Sequence, residues 1–464
     1  MTPRSALLLG LVLFGTPALQ AMPAMQADVP GKLDLEQTLA FALEHNFAIR
    51  RARESLREQE GIVTTVSAAG LPTVSATGSF QKSNLQSFQA GTQNTGQPVI
   101  IPSGRFWRMN FTVRQTVYAG GRIRSSIEAA KLTREAAIFG LQETINAALL
   151  DVRTRFYTVL LAREDIKVQE QNLELLQRQL RDATNRFEAG SISKFERLRA
   201  EVALANAQPP LIKARNDYRL AIQELRQAIG LVHTRDESPD QAPEFTGTLT
   251  IEPSNLKLPA ALAAARTGRP ELQRLAKLFD AATAGELTAR AGYYPSLALT
   301  AGGELRKGLT ESFSDSRRGL RAGAQAEWTG SPRATAGRIG QAESLSEQAR
   351  LTLAATELAV QVEVRRALSS LEEATELIGA TAQSVKQAEE AVRIALTRYQ
   401  AGTTPQLDLL QSQVALTTAR TNQLRAYYGH NVALARLHQA MGLSGVEYGE
   451  AANPASSQTS TEVK

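Results

Sequence analysis

Few side chains in this sequence can do chemistry, and their spacing suits none of the usual kinds. There is no cysteine, and the histidines are His45, His233, His430 and His438. Two metal ligands on one helical face need a spacing such as H-x-x-x-H. His430 and His438 stand two turns apart with no acidic partner nearby, so that arrangement is missing. No G-x-S-x-G elbow, Walker A loop or G-x-G-x-x-G fingerprint occurs. The serines of "EAGSIS" are followed by no base at a recognisable place. The residues therefore point away from an enzyme, and they call for no metal and no cofactor. Any transport by this chain would be passive, with its energy supplied by a partner.

Composition narrows the class further. The chain has 464 residues, of which 21% are charged and 5% aromatic, a balance better suited to long helices than to several thick cores. Lys+Arg 52 stands against Asp+Glu 46, and the two signs interleave. That is the pattern of solvated helix faces, not the basic stripe of a nucleic-acid binder. At the N-terminus Arg4 precedes an apolar run from Ala6 to Leu19, followed by Ala21, Ala24 and Ala27. This reads as a secretory signal peptide over 1–21, with Ala27 as the later cleavage site. Without cysteine there is no disulfide framework and no lipid-modified N-terminal Cys. Beyond the signal no run of ~18 apolar residues occurs, so membrane-crossing hydrophobic helices are not expected.

The elements repeat. "RFEAGSISKFERLRAEVALA" from Arg186 and "RYQAGTTPQLDLLQSQVALT" from Arg398 share a basic residue, an aromatic, Ala-Gly, small polar residues and a Leu-rich run. A helix that meets a glycine, turns and restarts reads this way. One constant shift pairs Pro72 with Pro295 and Leu33, Leu35 and Leu39 with Leu256, Leu258 and Leu262. A slightly shorter shift pairs Gly190 with Gly402 and "LRQAIGL" with "LHQAMGL". The first copy is longer through a polar segment from Gln81 to Gly104. The expected plan is a first repeat over 33–231, a polar linker over 232–255, a second repeat over 256–443 and a disordered tail over 444–464.

Each repeat should run helix, strand pair, very long helix, turn, helix. Leu35–Ala69 reads as one helix. Strands are expected at about 72–81 and 105–118, and again at about 295–306 and 318–328. Long helices are expected at about 122–188 and 334–400, with return helices at about 193–230 and 406–442. Arg122–Phe187 contains no proline, enough for an unbroken helix of about 100 Å. Leu173, Leu176, Leu180, Ala183 and Phe187 form a heptad seam, repeated by Val385, Ala388, Val392, Ala395 and Tyr399.

In the strands, Trp107, Met109, Phe111, Val113 and Val117 alternate with Arg108, Asn110, Thr112, Arg114 and Thr116, with Gln115 interrupting. Leu297, Leu299, Ala301 and Leu305 alternate with Ala298, Thr300 and Glu304. Leu320, Ala322, Ala324, Ala326 and Trp328 alternate with Arg321, Gln325 and Glu327. Period-two alternation fits any half-buried strand, and it is also the signature of a membrane β-barrel. Four strands cannot close a barrel around a pore, so that reading requires several chains.

From about Leu33 to Leu443 the sequence resembles the TolC-type outer-membrane efflux family. The resemblance rests on the paired "R-[FY]-x-A-G" turns, the "VYAGGR" junction at Val117–Arg122 and the "YYPSL" junction at Tyr293–Leu297. It implies a mixed fold, a membrane β-barrel plus a long α-helical coiled-coil barrel, with two structural repeats per chain. A homotrimer would form a 12-stranded barrel in the outer membrane and an α-helical tunnel through the periplasm. The implied role is the passive channel of a tripartite efflux or type I secretion system. Its partners would be a periplasmic adaptor, an inner-membrane transporter of the resistance–nodulation–division or ABC type, and outer-membrane lipid. The competing reading is a periplasmic coiled-coil adaptor or scaffold.

The resemblance also places a gate beyond the second turn, where relatives carry D-x-x-D. This chain has Asp408 and then Gln411, so only the first acid is retained. Tyr399 and Glu196 match residues that tie the tips together, while Thr404 stands where some members place a gate arginine. Arg186 and Arg398 would either compensate or serve as charges at helix C-termini. Ala189, Gly190, Ser191, Ala401, Gly402 and Thr403 form the tips expected to meet the adaptor. Arg108, Arg114 and Arg321 are expected to line the barrel lumen.

Overall fold

The computed structural model describes residues 31–83, 104–231, 243–251, 256–307, 317–328 and 330–443. The expected signal peptide and C-terminal tail, and most of the 81–104 segment, lie outside them. In the first repeat a short strand β1 (Lys32–Leu33) leads into α1 (Leu35–His45) and α2 (Phe47–Ser67). The strands β2 (Thr73–Ser83) and β3 (Gly104–Tyr118) follow, then α3 (Arg122–Glu188) and α4 (Lys194–Ile229). After β4 (Glu244–Phe245), the second repeat runs α5 (Leu258–Gly268), α6 (Pro270–Arg290), β5 (Ser296–Lys307) and β6 (Arg317–Glu327). It ends in α7 (Pro332–Gln400) and α8 (Gln406–Ala440).

Two expectations need correction. The helix read over Leu35–Ala69 breaks at Asn46. The Asn46 side-chain oxygen accepts from the Ala48 and Ile49 amides at 2.8 and 3.1 Å, capping α2. Its amide donates to the Ala228 carbonyl at 2.6 Å, so the break is held against α4. In the second repeat the corresponding break falls at Arg269–Pro270, where proline opens α6. The second correction concerns 232–255, read as a polar linker. Within it β4 pairs in parallel with β1, and Phe245 is 1% exposed. Its ring meets Phe156 edge-on at 6.2 Å, and Arg163 donates to its carbonyl at 3.1 Å. One phenylalanine among polar residues carries too weak a period to be seen in the sequence.

The helices pack in pairs along their lengths. α3 lies against α4 and α7 against α8, while α2 and α6 fill in beside the ends of α3 and α7 nearest the sheet. Leu176 and Ala183 are buried on the seam of α3, and Tyr399 on that of α7. Each repeat has its own apolar core where the helix pairs meet. Leu33, Phe156, Leu225, Ile229 and Phe245 form the first, and Val360, Val364, Leu437 and Met441 the second.

The repeated "A-[IM]-G-L" endings have a steric cause. Gly230 and Gly442 adopt φ of 79° and 78°, closing α4 and α8 in the left-handed region. A Cβ on Gly230 would collide with the His45 carbonyl, and one on Gly442 with the Gly268 carbonyl. In both repeats the end of the return helix is thus pressed into the corner between the first two helices. Gly190 and Gly402 share the positive φ, 71° and 73°, but a Cβ there meets nothing within 4 Å.

The two pairs should therefore respond differently to alanine. Gly402→Ala is expected to cost about 1 kcal/mol, the strain of a left-handed non-glycine residue. Gly442→Ala adds a collision with backbone and should cost about 3 kcal/mol or more. Thermal unfolding of the detergent-solubilised protein checks this; equal shifts for the two variants would contradict it.

Candidate functional site

The two helix-to-helix turns are built alike. At the first, the Gly190 amide donates to the Phe187 carbonyl at 2.9 Å and the Ser191 amide to the Arg186 carbonyl at 2.8 Å. At the second, the Gly402 amide donates to the Tyr399 carbonyl at 3.1 Å and the Thr403 amide to the Arg398 carbonyl at 3.0 Å. Both are Schellman closures, which satisfy the last carbonyls of the long helices. Ala189, Gly190, Ser191, Ala401, Gly402 and Thr403 are all exposed, leaving two small, open loops.

The restarts differ. α4 begins with a capping box: the Glu196 amide donates to Ser193 Oγ, and the Ser193 amide donates to the Glu196 carboxylate, both at 3.3 Å. Glu196 therefore caps its own helix, and no hydrogen bond joins it to the second tip among the described residues. α8 begins after Pro405, without a side-chain cap. Asp408 sits exposed in its first turn, where the helix dipole favours an acid, and Gln411 is exposed one turn further on.

What joins the tips is a contact of a different kind. The Arg186 guanidinium lies 5.0 Å from the centre of the Tyr399 ring and also pairs with Asp182 at 3.2 Å. Arg186 thus reaches across from α3 to α7 as a cation over an aromatic face. Tyr399 is 8% exposed, and its hydroxyl has no hydrogen-bond partner among the described residues. Burial raises its pKa above the ordinary phenol value, with nearby Arg186 opposing the shift. A polar tie through the Tyr399 hydroxyl is not what this structure contains.

Two residues at the tip went unread in the sequence. Gln406 is 1% exposed, with neither side-chain polar atom paired among the described residues, and Gln413 is buried with its oxygen unpaired. Thr404 is half-buried, and its hydroxyl is also unpaired. With Leu409 and Leu416, the two glutamines continue a three-four spacing into α8, the one signal that could have revealed them.

At the other end of the molecule, the sheet runs in the order β2-β3-β5-β6, antiparallel throughout. One face carries Val74, Phe80, Met109, Phe111, Val113, Leu297, Leu299 and Leu320, all exposed, Leu320 at 93%. The register puts Arg108, Asn110, Thr112, Arg114, Thr300, Glu304 and Arg321 on the opposite face. There Glu304, its side chain 20% exposed, pairs with Arg108 at 3.2 Å and Arg321 at 3.5 Å. Arg114 stands further along the same face, towards the helices. Gln115, which interrupts the apolar series, donates to the Gly70 and Thr116 carbonyls at 3.0 Å, where the sheet joins the helices. A bulge between Thr116 and Tyr118 brings Tyr118 round to the apolar face.

Burial, reinforced by Arg153, lowers the pKa of His438 to about 4, so it stays neutral near pH 7.

An exposed apolar sheet face, a charged face behind it and helices of this length define a membrane channel protein. The outer membrane efflux protein family model matches residues 39–231 and 261–443. The chain belongs to the outer membrane efflux protein family, whose members are channels, not enzymes. It is 25% identical over 441 residues to the probable efflux pump outer membrane protein TtgC of Pseudomonas putida, covering 92% of this chain and 86% of that one. It is 26% identical to the cobalt-zinc-cadmium resistance protein CzcC of Cupriavidus metallidurans, where the match spans 50% of this chain and 49% of the other. Among solved structures, the Campylobacter jejuni CmeC outer membrane channel superposes with a TM-score of 0.77 at 15% identity, over 88% of this chain and 85% of that one. VceC of Vibrio cholerae superposes with 0.75 at 18% identity, over 88% and 96%. The protein is an outer-membrane efflux channel that extends into the periplasm, which decides between conduit and scaffold.

The tip geometry makes a specific demand. Removing the Tyr399 hydroxyl (Tyr399→Phe) should leave the resting conductance within twofold, because that oxygen has no hydrogen-bond partner among the described residues. Arg186→Gln should raise it severalfold by deleting the cation over the ring, a contact worth roughly 1 kcal/mol. Single-channel recording separates the two, and the reverse ranking would contradict this account.

Proposed function

We propose that three copies of this chain close into one conduit, a 12-stranded barrel in the outer membrane continued by a helical tunnel across the periplasm. The observation that carries the proposal is the open sheet. Its outer strands, β2 and β6, have no partner beyond them among the described residues, while one face presents a row of exposed apolar side chains. Lipid offers nothing to an unpaired backbone edge, so the edges must be joined by other chains. The helices support the same assembly. Phe195, Leu198 and Val202 on α4, and Leu351, Leu358 and Val362 on α7, are exposed apolar residues at helical spacing. They supply faces for neighbouring protomers.

In that assembly Arg108, Arg114, Arg321 and Glu304 line the barrel lumen. The exposed loops around Gly190 and Gly402 form a ring of small tips at the far end, the surface offered to the hairpins of a periplasmic adaptor. The adaptor in turn links the channel to an inner-membrane transporter of the resistance–nodulation–division or ABC type, which supplies the energy. Three Asp408 carboxylates near one axis make a negative ring that favours cations and is plugged by multivalent ones. Gln411, one turn on, leaves that ring single. Thr404 places no charge beside it, and Tyr399, under Arg186, holds the tips together. Glu196 stabilises the restart of α4 and takes no direct part in the seal. The relatives' names speak of cobalt-zinc-cadmium resistance, toluene efflux and pyoverdine export, and the cargo here follows from the transporter that engages the tips.

The purified protein reconstituted in planar bilayers tests this reading. Discrete channels are expected, with cation preference and block by a multivalent cation, both weakened by Asp408→Asn. Channels whose selectivity and block are unchanged by Asp408→Asn would remove Asp408 from the pore. A preparation that inserts no channels at all would overturn the conduit itself.

A further inference from the structure

The loop end of the sheet carries a second feature on its apolar face. The register places Lys82 opposite Arg105 at the tops of β2 and β3, Lys307 opposite Trp107 on β5, and Arg318 opposite Leu305 on β6. On the apolar side β2, β5 and β6 thus each end in one basic residue. Lys82 and Arg318 are exposed and Lys307 is half-buried. No acidic residue occupies this face on any described strand residue, for Glu304 and Glu327 both lie on the other. By the register Lys82 stands two residues beyond Phe80, Lys307 is level with Trp107, and Arg318 is two residues nearer the helices, level with Met109. At the opposite end, Tyr118 and Trp328 are exposed where the sheet joins the helices.

These positions fit a membrane. Trp107 and Tyr118 are separated by roughly 36 Å along the strand. A strand tilt of about 40° reduces that to roughly 28 Å of height, the thickness of a hydrocarbon core. The aromatics then lie at the two interfaces, and the basic residues stand within two residues of the interface away from the helices, close enough for long side chains to reach the headgroups. Long basic side chains at such a boundary extend toward the polar layer, and anionic headgroups attract them.

We propose that Lys82, Lys307 and Arg318 form a binding belt for phosphate-bearing lipid of the outer leaflet, repeated around the barrel and clamping it at a fixed depth. The inference rests on the barrel reading above. It assigns the outward basic residues a ligand distinct from anything passing through the lumen.

The test uses the full chain purified in detergent and titrated with diphosphorylated lipid A, its dephosphorylated form and phosphatidylcholine, with bound lipid read by native mass spectrometry. The diphosphorylated lipid should bind best, and more weakly as salt rises. The combined Lys82→Gln, Lys307→Gln and Arg318→Gln variant should lose more than tenfold in affinity, since each basic residue near an anionic surface is worth roughly fivefold. Arg306→Gln, next to Lys307 but on the opposite face, should bind as the parent does. If the triple variant does not fold, the single variants Lys82→Gln and Arg318→Gln carry the test at roughly fivefold each. Equal binding of the dephosphorylated lipid, undiminished binding by the variants, equal loss in the opposite-face variant, or displacement by millimolar inorganic phosphate would each overturn the proposal. Channel formation by the same preparation separates failure of this inference from failure of the barrel.

Discussion

A backbone edge cannot face hydrocarbon, and most of this molecule follows from that constraint. Four strands make a sheet with two open edges, and each unpaired amide or carbonyl in lipid costs several kcal/mol. Stability in the membrane therefore depends on neighbouring chains, and the helices must be arranged to bring those neighbours in. Each strand pair is fed by a helix below it and leaves through a helix of nearly seventy residues, α3 with 67 and α7 with 69. The sheet is thereby fixed to one end of a rigid bundle, and the turns are carried to the other.

Rigidity is unevenly distributed along that bundle. Where α4 and α8 end against the corners of the first helices, Gly230 and Gly442 are locked by backbone collisions that tolerate no side chain. At the tips the same left-handed glycine occurs in open space, and behind it buried polar atoms of Tyr399, Thr404, Gln406 and Gln413 have no hydrogen-bond partner among the described residues. One local motif thus serves two purposes, a clamp in the middle of the bundle and a free turn at its end. The free end is the part with the least to lose by moving, as a closure that must open requires.

The sequence exposed the architecture more readily than the contacts. Alternation in "FWRMNFTVRQTVY" marked both faces of β3, because one face meets lipid-like surroundings and the other holds charges. The helix break at Asn46 was hidden, since asparagine is common in helices and its bond to Ala228 spans most of the repeat. Phe245 was hidden for a similar reason, its partners Phe156 and Leu33 being remote in sequence. At the tips, spacing singled out the right turns and misjudged the contact. Glu196 has the chemistry to tie two tips together, but three residues after Ser193 its nearest task is a capping box. From the sequence Arg186 is either a compensating charge at the tips or a helix-end charge, and only the folded tips show its guanidinium over Tyr399. Glu304 stood among the strand residues, while its position between Arg108 and Arg321 depends on the register.

The central claim is that β2 of one chain pairs with β6 of the next. The natural absence of cysteine allows a direct measurement. Single cysteines at Val74 or Ala76 on β2 can be combined with single cysteines at Ala322, Ala324 or Ala326 on β6, scanning the register. Within one chain these strands are separated by β3 and β5, about 14 Å, too far for a disulfide. Oxidised membranes should therefore yield covalent dimers and trimers for at least one pairing, and nothing larger than a trimer. A ladder extending past three chains, or monomers alone across the whole scan, would contradict the account.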